Sequence, residues 1–296
     1  MIKAFRISIL LLRHLYSVRY AVWTTLFVLL IPTPSSFQQK FPLLFSPPVG
    51  DRLIYMLNTS VHAEGKDFAG KDLSLSLTAS GKISFDVKRA VRNRVFMGMT
   101  TPGIHVEAQT LTGLQRYSLK TNQNMALQAA FDPRGSVREI HNLKALNSNK
   151  VMNVSLVQIL RDYFPVLPGR PVSIGEIWMD NKRINIPFQE IDLEVSIETK
   201  YTLHNVIFSV EEEVAVISMD YEVRLSGSKN LGEWTGTFEG KGTGGGLLNF
   251  LLQRGCFQEF KADYQTEAAL VIKKEGKAFM EWPFHLSVFA SAVMTN

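Results

Sequence analysis

Leu73, Leu75 and Leu77 alternate with Asp72, Ser74 and Ser76, and after the Ser80-Gly81 pair the same period returns in Ile83, Phe85 and Val87. Successive side chains of an extended strand point to opposite faces, so a two-residue period describes a strand with one dry and one wet face. The sequence offers such strands along most of its length: 51–62, 94–99, 104–111, 115–120 and 125–131 in the first part, with Asp132-Pro-Arg-Gly135 as a tight turn and 136–140 returning from it. Later candidates are 184–187, 193–208, 214–225, 234–241, 257–264, 267–274 and 278–290. Half-wet strands in unbroken succession fit antiparallel meanders. The strand–helix alternation of a parallel sheet is missing. The expected fold class is mainly β, with curved antiparallel sheets or a half-barrel.

One stretch departs from this period. From Asn147, Met152, Leu156, Ile159 and Tyr163 recur at three- and four-residue spacing, with Val151, Leu160 and Phe164 widening the stripe. Asn147, Ser148 and Asn149 are N-cap candidates, and Pro165 stops the pattern. The spacing predicts one crossing helix over 147–164, followed by a Pro168-Gly-Arg-Pro171 turn. It divides the chain into a first β half, 49–146, and a second, 169–296, joined by the helix and turn at 147–168. The two halves echo one another: Pro48-Val-Gly-Asp51 leads into Ile54-Tyr55, and Pro171-Val-Ser-Ile-Gly-Glu176 into Ile177-Trp178. The echo reads as an internal duplication or as ordinary turn-then-strand chemistry. The crossing helix is expected on the concave side of a sheet.

Residues 1–50 hold no Asp or Glu, whereas Lys3, Arg6, Arg13 and Arg19 precede the apolar run Ala21–Ile31 and the segment Pro32–Ser36. A basic segment, a short apolar core and small residues make an export signal in 1–36, with Thr33 and Ser35 at the small-residue positions. The apolar run falls short of the ~20 residues of a spanning helix. The alternatives are an uncleaved inner-membrane anchor and a start codon placed too early. Residues 37–48 read as an extended connector. The formal charge of +5 drops to +1 once the four leader cations are removed, 28 basic against 27 acidic residues. The body therefore carries no net basic charge to argue for nucleic acid. Cys256 is the single cysteine, which excludes an internal disulfide, and no cysteine follows the apolar run to take a lipid.

The familiar catalytic spacings are absent. Thr235-Gly-Thr-Phe-Glu-Gly-Lys-Gly-Thr-Gly-Gly-Gly246 has three residues, not four, between Gly236 and the Gly240-Lys241 pair, and Gly242 stands where a phosphate loop needs Ser or Thr. It reads as a flexible hairpin loop or lip, and Leu247–Leu252 after it as core or as a membrane-facing tip. The six histidines show no metal-ligand spacing, and no G-x-S-x-G elbow exists. Cys256 reads as a buried apolar residue, and Asp220 with Glu222 as a solvated pair on a strand face. No metal, no cofactor and no enzyme activity is expected. Asn58-Thr-Ser60 and Asn153-Val-Ser155 fit the glycosylation pattern, which matters only in a eukaryotic source.

What remains is apolar surface: a curved sheet with one apolar face makes room for a lipid or acyl chain. The leader, the two β halves, Phe131-Asp-Pro-Arg-Gly-Ser-Val137 and Pro171-Val-Ser-Ile-Gly-Glu-Ile-Trp178 together resemble uncharacterised exported bacterial proteins. In pattern alone they resemble the LolA-like lipoprotein-carrier superfamily of half-barrels. That resemblance implies a fold and carries no site motif. The expected protein is a non-enzymatic component of the periplasm or cell envelope that binds an apolar ligand or an envelope protein partner, with a scaffold without ligand as the alternative and an envelope hydrolase as the enzyme-class rival. Membrane contact would run through the N-terminal segment if it stays uncleaved. Phe164, Trp178, Trp234, Leu247 and Phe250 are the candidate ligand-binding residues.

Overall fold

The structure is a computed structural model that describes residues 39–66, 70–110, 113–122, 125–146, 150–151, 154–155, 163–188, 191–208 and 212–295. In chain order the strands are β1 (Lys40–Leu43), β2 (Arg52–Lys66), β3 (Asp72–Val91), β4 (Arg94–Thr110), β5 (Gly113–Leu119), β6 (Leu127–Phe131), β7 (Val137–His141), β8 (Lys150–Val151) and β9 (Val154–Ser155). They continue with β10 (Arg170–Ser173), β11 (Ile177–Phe188), β12 (Ile191–Phe208), β13 (Glu213–Leu231), β14 (Trp234–Leu251), β15 (Cys256–Lys274) and β16 (Lys277–Met294). Twelve of them form one sheet in the order β11-β12-β13-β14-β15-β16-β2-β3-β4-β6-β7, with β5 also on β4. All of its pairings are antiparallel. The sheet is open, with β11 and β7 at its ends. Strands of both sequence halves belong to it, joined where β16 pairs with β2.

The two-residue period sets the faces. In β15, Phe260, Ala262, Tyr264, Thr266, Ala268 and Leu270 share one face, and Glu259, Lys261, Asp263, Gln265 and Glu267 share the other. Cross-strand register carries the same division through the neighbours. Leu286, Thr266, Gly242 and Val223 lie in one row, and His285, Glu267, Lys241 and Arg224 in the adjoining one. The sheet curls toward its apolar face. Four strands separate β15 from β6, a flat distance of about 24 Å at ~4.8 Å per strand. Yet Phe45 stacks on Phe257 of β15 at 5.4 Å and meets Phe131 of β6 at 5.2 Å.

Two short segments close one end of this concave face. β1 pairs antiparallel with β10, and the ribbon places Phe41, Leu43 and Val172 in the core. Residues 163–168 cross beside it. The expected connector 37–48 is thus a core element from Phe41 to Phe45, because its Phe and Leu side chains bury too much apolar area to stay in water.

The expected helix is corrected at its start. β8 and β9 pair antiparallel there, Val151 opposite Val154, consistent with the low helix propensity of β-branched residues. Residues 147–149, 152–153 and 156–162 of that expectation lie outside the described residues, as does the leader 1–36. Two expected turns are also absent. Ser80-Gly81 lies within β3, and the glycine-rich stretch 235–246 lies within β14 as continuous ladder. Cross-strand hydrogen bonds over eighteen residues outweigh the weak strand propensity of glycine.

Candidate functional site

The apolar face has a packed end, a pinched middle and an open end. At the packed end, Phe164 stacks on Phe257 at 5.9 Å and meets Tyr55, Phe85 and Phe260 edge-on at 5.7, 5.9 and 6.1 Å. The polar backbone of its segment is satisfied by side chains from both sides of the curl. Trp178 Nε1 donates to the Val166 carbonyl at 2.9 Å, the Val166 N–H donates to Tyr201 Oη at 3.2 Å, and Lys182 Nζ donates to the Phe164 carbonyl at 2.8 Å. Tyr163 Oη donates to the Ser291 carbonyl at 2.9 Å on β16. Arg134, in the β6–β7 turn, donates to the Leu167 carbonyl at 3.1 Å and to Asp180 at 3.1 Å. The void lined by Leu53, Met97 and the surrounding rings is about 10 Å³, room for no more than a water molecule. A ligand of any size therefore has no place at this end.

In the middle, Gly240, Gly242, Gly244 and Gly246 occupy successive apolar-face positions of β14. A Cβ on Gly240 would come within 2.8 Å of Ala268 Cβ, and one on Gly246 within 2.8 Å of Met219 Cε. The missing side chains let β13 and β15 lean together across β14. Tyr221 and Tyr264, both in register with Gly244, bring their rings to 6.3 Å above it. A second apolar cluster follows, with Val195, Val223, Leu225 and Ala268 buried and Phe238 and Leu286 packed on them.

Toward the hairpin tips this face opens. Leu73, Leu75, Leu77, Val61, Ala63, Phe284 and Leu270 share it and are half-buried. The wet face carries titratable groups beside strand neighbours, among them His62 with Glu64 at 2.9 Å, His285 with Glu267 at 2.9 Å and Lys200 with Asp220 at 3.6 Å, whereas Asp180 and Lys182 of β11 and Lys229 of β13 lie in apolar-face register. Grooves of 480 and 520 Å³ on this face are lined by charged and hydroxyl residues, among them Arg224, Lys241 and Glu267 in one, and Arg52, Lys82 and Thr121 in the other. Among the described residues no three His, Cys, Asp or Glu side chains converge as metal ligands.

The five candidate residues do not form one site. Phe164 and Phe250 share the packed end, both against Phe257. Trp178 stacks on Tyr201 at 5.4 Å beside them. Trp234 stands at the opposite end of the sheet, and Leu247 is exposed on the wet face, one residue out of phase with buried Leu248. Burial pushes the Tyr201 and Tyr264 hydroxyls and the Cys256 thiol up to about 12, so these groups stay neutral and apolar in character. Sequence reasoning passed over Tyr221 and Tyr264 and read the glycine row between them as a flexible hairpin loop or lip. The even spacing of Gly240, Gly242, Gly244 and Gly246 was the available signal.

No protein-family model matches the chain, and no curated protein does. Among solved structures the chain is similar, at very low level, to outer-membrane channels. Pseudomonas aeruginosa OccK2 (OpdF), solved with glucuronate, is 7% identical with a TM-score of 0.26, over 85% of this chain and 100% of that one. The COG4313 channel of Pseudomonas putida F1 is 10% identical with a TM-score of 0.22, over 87% and 98%. Pseudomonas aeruginosa OccK5 (OpdH) is 7% identical with a TM-score of 0.25, over 85% and 100%. At such scores the likeness assigns neither a family nor an activity.

Proposed function

We propose that this chain is a non-enzymatic protein of the cell envelope that holds an acyl chain, or a ligand equally apolar, against the open half of its concave sheet face. The observation that carries this reading is the long, mainly apolar face that runs outward from the tyrosine pair. From Tyr221 and Tyr264 outward it continues through Leu286, Phe284 and Leu270; Lys182, on the edge strand β11, reaches back to the Phe164 carbonyl, and Lys229 and Lys274 enter the face only near the rim, while the adjoining face is mostly polar. That polarity is the reverse of a membrane barrel, whose outer face is apolar. The export-signal pattern of residues 1–36 supports an envelope location. Paired, exposed carboxylates and imidazoles and a neutral buried thiol support a role without catalysis.

The test is native mass spectrometry of the protein purified from its own host, with uptake of a fluorescent fatty acid by the delipidated form. Co-purifying lipid and saturable uptake are expected. No lipid and no uptake would sink the ligand reading and leave the scaffold, for which the filled packed end already speaks.

A further inference from the structure

The open end of the concave face terminates in an aromatic rim that suits a bilayer surface. β15 and β16 lose register between Ile272 and Lys273, so Phe279 stands outside the ladder, 65% exposed. A bulge of this kind re-aims a side chain. Phe279 meets Trp234, at the start of β14, edge-on at 4.9 Å, and Lys274 Nζ lies 5.1 Å over the Trp234 ring. Met280 beside them is 38% exposed. We propose that this rim inserts at the interface of a phospholipid bilayer and is the mouth through which an apolar ligand reaches the concave face.

Three observations support a lipid surface. A tryptophan and a phenylalanine at hairpin tips, with a lysine whose ammonium lies over the tryptophan ring, are the side chains that favour the boundary between headgroups and acyl chains. The rim is continuous with the proposed binding face. Met280 lies opposite Ile272, Trp282 opposite Leu270 and Phe284 opposite Ala268, an apolar path running inward from the tip. A ligand leaving a bilayer along it stays in contact with apolar side chains. Third, the charges near the rim nearly cancel: Lys229, Lys273, Lys274 and Lys277 stand among Glu233, Glu275 and Glu281, with Lys274 on Glu233 at 3.3 Å. Attraction therefore rests on apolar insertion, and binding requires no anionic lipid.

The mouth role rests on the apolar-ligand reading, and the insertion does not. The test uses the full chain with a single fluorophore, attached through Phe279→Cys or, as the control at the opposite end of the sheet, Val91→Cys. Cys256 is fully buried and does not compete for label. Vesicles of phosphatidylcholine alone, and with phosphatidylglycerol, carry brominated acyl chains. The label at 279 is expected to shift to the blue and be quenched on both, with little effect of added salt, while the label at 91 stays in water. No vesicle binding, a label at 279 that stays in water on bound protein, or equal quenching at both positions overturns the insertion. For the mouth, the double variant Trp234→Ser, Phe279→Ser should take fluorescent fatty acid from vesicles roughly tenfold more slowly, a larger factor than for uptake of monomeric fatty acid. No slowing, or equal slowing of both routes, overturns it. Failure of monomer uptake in the unaltered protein counts against the ligand reading and, with it, the mouth; the quenching result is judged separately.

Discussion

Gly244 and Gly245 are neighbours in one strand, and the structure separates their roles sharply. Gly244 faces the apolar side between Tyr221 and Tyr264. A Cβ there would overlap the Asp263 carbonyl oxygen and Tyr264 Cβ, and would sit 2.5 Å from Tyr264 Cα. Paired Cβ atoms ordinarily stand about 4.5–5.5 Å apart, so Gly244→Ala must push β14 and β15 apart by about 2 Å. Overpacking of this kind costs about 1–3 kcal/mol, and spreading the tyrosine pair adds about 0.5–1.5. The sum, roughly 2–4 kcal/mol, lowers the melting temperature by about 5–10 °C in a domain of this size. Gly245 faces the other way, with the Met219 carbonyl oxygen at 3.7 Å as its nearest neighbour. Gly245→Ala removes unfolded-state freedom at no steric cost and should be neutral or stabilising by about 0.5–1 kcal/mol. Urea unfolding followed by far-UV circular dichroism measures both. Equal effects of the two substitutions, or a harmless Gly244→Ala, would refute the claim that missing side chains set the curl of the sheet.

Phe164→Ala should cost about 3–5 kcal/mol in the same unfolding assay, since the five surrounding rings cannot collapse into the space it leaves. Trp178→Phe keeps the stack on Tyr201 but strands the Val166 carbonyl in a buried site, at about 1–3 kcal/mol. The raised values of Tyr201, Tyr264 and Cys256 mean that the folded protein keeps protons that the unfolded chain has lost. Their stabilising contribution is complete below about pH 9 and is lost as pH climbs toward 12, so the urea midpoint should fall across that window. Phenolate absorbance that rises before unfolding and is lost in Tyr201→Phe or Tyr264→Phe would contradict this. The Cys256 thiol should resist maleimide at pH 8 in the folded protein and react on unfolding, as mass spectrometry of the quenched mixture would report.

Local alternation made most strands legible. β3, β12 and β15 show their two faces residue by residue, and so does the division into an apolar and a wet side. Boundaries were less legible wherever the expectation rested on single residues. Ser80-Gly81 and the 235–246 run look like turns in isolation, yet Gly81, Gly240, Gly242, Gly244 and Gly246 sit in the ladder where their partners approach too closely for a side chain. The same closeness explains why the candidate residues scattered. Large aromatics mark burial or rim equally well, and a one-residue phase difference put Leu247 in water beside buried Leu248. Trp234 alone among them stands at the open end. The restart segments also have a structural counterpart that no local pattern announced. Gly50 and Gly175, both at positive φ, turn the chain into β2 and β11, and the strands before them, β1 and β10, pair with each other.

The sequence by itself determined the class of secondary structure and the polarity of each strand, because a two-residue period is a property of neighbours along the chain. It also determined the leader pattern and the lack of charge for nucleic acid. Tertiary structure alone decided that both halves share one sheet through β16 and β2, that residues 41–45 and 163–168 fill one end of its concave face, and that the other end stays open at Trp234 and Phe279. Those outcomes depend on which distant segments meet, and curvature is the sum of many close approaches between strands. Neither is written in the spacing of residues within a single strand.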